Sequence, residues 1–487
     1  MPNSSIFILL FSMFIASISN SQTILISKTI PVSNRTSKFK LIGKNTQGYW
    51  VRNYGKNEER VDIYDDGLNL IKSKTLLIKR NNFTTVSFFL SNYQATIYYS
   101  EYKKKQMIVY ANAINDRLES GAEIILDTIQ YQSYDDNANV SFATSTNKMY
   151  HMLFIPTYLN GNIQKIRIIG TNGSSFALFK STINISEEGF SAVPQDAIVD
   201  NNGNTYLLIK YFQQENQAES FMVYQVSNRG QLIKKFPVYF DKQIFGEPYI
   251  IFDELHHEFI ATAFTTEDRR EGATYFTTFR YSLFDSLSSS TNHYKIDKQI
   301  ISDIYKGDPG KIVGLYTYAI KKIILTLERG LYVFTESFYK ESKEEIAPDL
   351  MSLSPMNTFQ PSFNNTRSIN VYHYNDILCM KLNDSLKSFN YELIDKSQIS
   401  ENDNGAYSSF VILNSGDAIK CLYNAEDKSI FSFLENTIDI TNSKQVLINE
   451  EKKGLQLIPK MAIQTGINEL IIPSYRNDEF KLIKIKY

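Results

Sequence analysis

The 487-residue chain carries 51 basic and 52 acidic side chains, and its net charge of -1 leaves no electrostatic footprint for a nucleic-acid partner. Two cysteines are too few for a disulfide-built scaffold or a cysteine-rich zinc site. With 43% hydrophobic residues, and with Tyr (32) and Phe (32) prominent, the chain can bury a large core and favours strands.

Ile6 to Ile18 is an apolar run broken only by Ser12 and Ser17, too short to cross a bilayer comfortably. Ser19-Asn20-Ser21 places small residues after it, so residues 1–21 read as a secretory signal peptide cleaved before Gln22. Met1 to Ser5 contain no Lys or Arg, which leaves a retained anchor as the alternative, and no Cys follows the run to support a lipoprotein. The expected location is secreted, periplasmic or cell surface, with no transmembrane anchor after cleavage. Thr23 to Val32 then reads as a strand standing apart from the units that follow.

Those units are clearest between Phe190 and Phe240. Ala197-Ile198-Val199 runs into the turn formers Asp200 to Asn204, and Thr205 to Tyr211 returns as a strand. Phe221 to Val226 turns at Ser227-Asn228-Arg229-Gly230 into Gln231 to Tyr239. Two hairpins of this kind are one β-propeller blade. The second turn recurs: Asp65, Asp116, Asn172, Asn228 and Asp285 are spaced by 51, 56, 56 and 57 residues. Asn383 follows 98 residues later, and a turn near Glu435-Asn436 restores the period.

The excess lies in 340–367, where Pro348, Pro355 and Pro361 stand amid Ser, Asn and Glu and predict an inserted loop. Past the last turn, Leu455 to Ile463, Glu469 to Ser474 and Phe480 to Tyr487 supply only three strands, which would leave an unpaired edge. Thr23 to Val32 is the candidate to complete that sheet. The reading is an all-β, single propeller over 22–487, eight blades by this count and seven if the unit with the insert is miscounted.

Tyr374 to Asn383, Ile394 to Gln398, Tyr407 to Phe410 and Leu422-Tyr423-Asn424 together resemble a recurring segment of uncharacterised secreted proteins of the Bacteroidetes phylum. The resemblance spans about a tenth of the chain. It implies a propeller of unknown role outside the cytoplasm and carries over no functional residues.

Few residues invite chemistry. His256-His257-Glu258 could supply metal ligands, but adjacent side chains on a strand point to opposite faces, and the triplet reads as a solvated hairpin turn. His151, His293 and His373 fall in different units. Asp200 to Asn204 is dense in oxygen donors yet lacks the longer ligand series of a calcium loop, and Asp65-Asp66-Gly67 reads as a plain turn. Cys379 and Cys421 read as buried thiols, with one disulfide between neighbouring units as the alternative. No catalytic residue, metal or cofactor is assigned.

The expected function is a binding scaffold for a protein or glycan, in a monomer. The alternative is a polysaccharide-active hydrolase or lyase with its site at the propeller mouth. Insertions in repeats often map to the binding face, so Leu350, Met351, Leu353, Met356 and Phe359, more apolar than a solvated loop requires, are the candidate binding residues.

Overall fold

A computed structural model describes residues 22–31, 38–55, 59–76, 83–91, 94–103, 105–131, 140–159, 162–213, 219–284, 288–306, 310, 312–346, 366–383, 389–416, 418–427, 430–439, 444–449 and 455–487. The protein is all-β, with strands arranged as propeller blades. The described strands form eight separate antiparallel sheets, each built on four strands, and in six of them the four follow one another in meander order. The chain divides into two compact units, Leu76–Gly405 on one hand and Met1–Thr75 with Ala406–Tyr487 on the other.

In the larger unit the sheets fall at 83–130, 141–184, 191–238, 243–295 and 318–401. The strand Thr205–Phe212 shows why they stack. Tyr206 and Leu208 pack into the core shared with the sheet at 243–295, whereas Leu207, Ile209 and Tyr211 pack into the core shared with the sheet at 141–184. A period of two thus buries both faces, and a second strand of a blade reads as an almost unbroken apolar run. The last strand of the same sheet, Leu232–Val238, is exposed at Leu232 and Ile233 and buries only Phe236 and Val238. The first strands Ser141–Thr144, Ser191–Val199, Tyr249–Asp253 and Tyr318–Leu325 pack side by side in that order.

Two of the recurring turns, at Asn115 and Ser227, share one hydrogen-bond scheme with the turn at Asp200, while the marker Asp285 lies outside the described residues. The Asp200 carboxylate accepts from the backbone N–H of Asn202 and Asn204 at 2.9 and 2.8 Å; Asn115 accepts from Arg117 and Glu119, and Ser227 from Arg229 and Gln231. A short polar side chain that caps its own turn in this way is what makes the period visible in the sequence.

Among the described residues one α-helix interrupts the β pattern, α1 (Lys298–Tyr305). Asp297 caps it by accepting from the N–H of Ile300, and Ile300 and Ile301 enter the core between the sheets at 243–295 and 318–401. The all-β reading does not anticipate it, because the segment is a short link between blades.

The insert also differs from its prediction. Leu331–Ile346 and Thr366–Leu382 pair from Leu331↔Leu382 out to Ile346↔Thr366, so 340–346 and 366–367 are the arms of a long β-ribbon and not loop. Gln398–Glu401 pairs with Val371 to Tyr374 as a third strand. The arms continue because Tyr339 and His373, opposite each other, stack with ring centroids 4.3 Å apart.

In the smaller unit the sheets are 38–75, 410–449 and a composite one. Thr23–Ile26 pairs with Glu479–Lys486 in the register Thr23↔Lys486 to Ile26↔Ile483, beside Glu469–Arg476 and Ile463–Gly466. The pairing of an N-terminal strand with the C-terminal sheet is as expected, but the first of the three C-terminal strands starts later than predicted. Pro459 begins a short 3-10 turn, Pro459–Met461, which displaces the strand to Ile463. Glu435 and Asn436 are likewise not a turn: they lie inside the strand Ile430–Thr437, where they pair with Leu422 and Cys421.

Cys379 and Cys421 are both buried as thiols in separate sheets. No helix among the described residues is long and apolar enough to cross a membrane.

Candidate functional site

The sequence places the binding residues at Leu350, Met351, Leu353, Met356 and Phe359; all five lie outside the described residues. Within the larger unit, the described residues form an open cleft of about 970 Å³ where the sheet at 191–238 hands over to the sheet at 243–295. That is at the upper end of the size range of small-ligand sites.

The cleft exists because two strands part. Glu219–Val226 pairs with Leu232–Val238 only as far as Phe221↔Val238, after which the chain leaves as Tyr239 to Lys242 and rejoins the next sheet at Gln243–Ile244. Phe221 and Phe240, meeting edge to face with centroids 6.0 Å apart, and buried Val238 and Ile244 form its apolar floor. Tyr239 stands at the rim 58% exposed, its carbonyl held by the Thr291 hydroxyl at 2.9 Å.

Three carboxylates rim the cleft, and Glu219 and Glu267 each have a cation beside them. Glu219 accepts from Lys210 Nζ at 2.8 Å and lies 3.2 Å from Arg269. Burial alone would push its carboxyl up, and these donors outweigh that and hold it below the ordinary range. Glu267 accepts from Lys242 Nζ at 2.6 Å, which lowers its pKa, while Lys242 sits 4.2 Å from the centre of the Tyr275 ring. Asp241, in the left-handed region at φ 53, lies 3.7 Å from His293 Nε2. Glu219 and Glu267 therefore offer ionised acceptors beside the charged donors Lys242 and Arg269. The cleft offers no protonated carboxyl between Glu219 and Glu267 to serve as a general acid.

Sequence reading missed this site because its residues come from three separated stretches, 219–222, 237–244 and 266–269, that only the blade-to-blade connection brings together. The one local signal is Asp268-Arg269-Arg270 directly after a strand. Asp268 caps the 3-10 turn Arg269–Glu271 and binds Arg270, which leaves the Arg269 side chain 50% exposed at the cleft.

The other candidates resolve structurally. His256 Nδ1 lies 2.8 Å from Asp253, and His257 adopts φ 51 in the turn. Glu258 departs from the solvated turn expected of it: it opens the strand Glu258–Thr266, is buried, and accepts from Arg280 at 2.8 Å and from Arg329 of the next sheet. The pairing of Glu258 with Ser282 draws it into the ladder and away from water. No group of three or more His, Cys, Asp or Glu among the described residues could hold a metal ion.

No family model matches the chain, and no curated protein matches it. Among solved structures it is similar to prolyl oligopeptidase B from Galerina marginata bound to a 35mer hydrolysis and macrocyclization substrate, at 8% identity and a TM-score of 0.38, covering 80% of this chain. It spans 55% of that protein's length. It is also similar to the β-propeller domain of the Trilobed protease from Pyrococcus furiosus, at 9% identity and a TM-score of 0.37, over 85% of this chain and 98% of that one. A third is the dihydro-heme d1 dehydrogenase NirN in complex with DHE, at 9% identity and a TM-score of 0.41, over 95% and 75%. These likenesses carry no argument about activity.

Proposed function

We propose that the protein is an exported propeller that binds a glycan in the cleft between 219–222, 237–244 and 266–269. The observation that carries the reading is a rim of both charge signs over an apolar floor. Glu219, Asp241 and Glu267 line it beside Lys242 and Arg269, and Lys210, outside the lining, binds Glu219, so the rim selects neither a polyanion nor a polycation. A neutral, hydroxyl-rich ligand can donate to the carboxylates and accept from the cations at once. Exposed Tyr239 adds a ring face for the C–H side of a sugar. The apolar run Ile6 to Ile18 and the small residues after it support export, and the eight sheets support a count of eight blades.

The test is a glycan array and an envelope-protein pull-down run side by side with the mature chain and with Tyr239→Ala/Arg269→Ala. Glycan retention by the wild type that the variant loses is the expected result. Capture of a protein alone would replace the ligand class, and turnover of a polysaccharide panel would favour a hydrolase or lyase.

A further inference from the structure

The strand Leu331–Ile346 outruns its neighbour. Tyr318–Leu325 pairs with it only as far as Ser337, and the N–H of Phe338 then donates to the Thr317 carbonyl at 2.8 Å. On the other side, pairing continues without a shift from Phe338↔Tyr374 to Ile346↔Thr366. From Tyr339 to Ile346 the outer edge therefore has no described strand beside it, and an open edge is a template for a further strand. Backbone groups alternate sides along an antiparallel strand. Since Phe338 faces the outer side, Lys340, Ser342 and Glu344 turn their N–H and C=O outward too.

We infer that this edge pairs with the same edge of a second copy of the chain, antiparallel about a two-fold axis at Ser342. In that register Lys340 stands opposite Glu344, Glu341 opposite Lys343, and Ser342 opposite its own copy. Both charge-on-charge pairings are of opposite sign, Tyr339 faces Glu345, and outward-facing residues meet outward-facing residues, which gives about six backbone hydrogen bonds. Other registers are penalised. A slip of one residue puts Lys340 against Lys343 or Glu341 against Glu344, and pairs outward backbone groups with inward ones. A slip of two sets Glu341 on Glu341 or Lys343 on Lys343, and a parallel in-register pair sets every charge on its like.

Lys340, Glu341, Ser342 and Lys343 are exposed, so the contact requires no unfolding. Among the described residues Glu341 has loose neighbours, Lys343 at 3.7 Å and His373 Nε2 at 3.5 Å. A ribbon edge buries less area than a permanent interface needs, so the dimer is weak, concentration-dependent and salt-sensitive. It replaces the monomer expected from sequence, and it is an isologous contact that closes at two copies.

Sedimentation velocity on the mature chain over a concentration series tests the inference. The wild type shifts from monomer to dimer as concentration rises. Glu341→Lys, which sets lysine against Lys343 twice, weakens dimerisation by about tenfold or more. The double variant Glu341→Lys/Lys343→Glu restores it, because the opposed charges are exchanged and not lost. Ser342→Cys forms an intermolecular disulfide on oxidation, since directly opposed Cα atoms of a hydrogen-bonded pair lie about 5.5 Å apart. Unchanged thermal melts confirm that these variants fold. A chain that is monomeric at every concentration, a dimer indifferent to Glu341→Lys, a double variant that does not recover, or a Ser342→Cys protein that fails to cross-link would each overturn it.

Discussion

Lys44 Nζ lies 3.0 Å from Glu469 Oε1, although the two residues are 425 positions apart in the chain. The contact joins the sheet at 38–75 to the composite sheet, and the hydroxyls of Tyr49 and Thr465 both donate to the same carboxylate at 2.8 Å. Burial would push Glu469 up; the hydroxyl and lysine donors outweigh it and hold the carboxyl below its usual 4.5. A depressed folded pKa contributes stability that is present above 4.5 and lost as pH falls through the folded value. Glu469→Gln should therefore cost about 1 to 2 kcal/mol at neutral pH, with the gap to wild type closing in acid. Thermal melts of both proteins over a pH series check this.

Deleting Gln22 to Pro31 removes the strand paired along Ile483 to Lys486 and the bridge of Ile30 to Phe480. The stripped strand Glu479–Lys486 then offers an open edge. A lower melting temperature and concentration-dependent aggregation by light scattering are expected.

Lys396 and Glu336 form an ion pair at 2.8 Å with both residues almost fully buried, the Lys396 ammonium also donating to the Tyr374 carbonyl and the Gln398 side chain. Lys396→Met should destabilise by about 3 to 5 kcal/mol, because it removes the 2.8 Å partner of a buried carboxylate whose other lysine, Lys321, stands 3.9 Å away. Lys396→Met/Glu336→Leu should recover much of that loss, since the second change removes the buried charge. Denaturant titration of the two variants decides it.

His151 is buried between the rings of Tyr98 and Phe142, and its Nδ1 lies 2.8 Å from the Thr144 hydroxyl. Its Nε2 has no hydrogen-bond partner among the described residues, and burial lowers its pKa to about 3. The unfolded chain takes up that proton near 6.5, so this histidine costs stability progressively as pH falls from 6.5 towards 3, by roughly 3 kcal/mol at pH 4. His151→Phe should flatten that part of the stability profile in urea melts.

The blade pattern was legible because its information is local. Asp200, Asn115 and Ser227 cap their own turns, and Tyr206 to Tyr211 alternates between two cores, so period and turn chemistry both appear in the linear sequence. The extended ribbon was misread because Pro348, Pro355 and Pro361 cluster between its arms, and the arms, rich in Lys and Glu, resemble solvated loop. The strand containing Glu435 was misread as a turn for a different reason: that carboxylate is buried in its ladder and bonded to Lys420 at 2.8 Å, so its polarity is satisfied by a partner outside its own segment. The cleft was hidden for the same reason. Glu219, Tyr239 and Arg269 share no pattern in the sequence and meet only through the link between two sheets.

Hydrogen–deuterium exchange with and without a glycan retained on the array tests the central claim most directly. The account predicts slowed exchange confined to 219–222, 237–244 and 266–269, and its loss in Tyr239→Ala/Arg269→Ala. Protection elsewhere, with those three segments exchanging at their free rates, would contradict it.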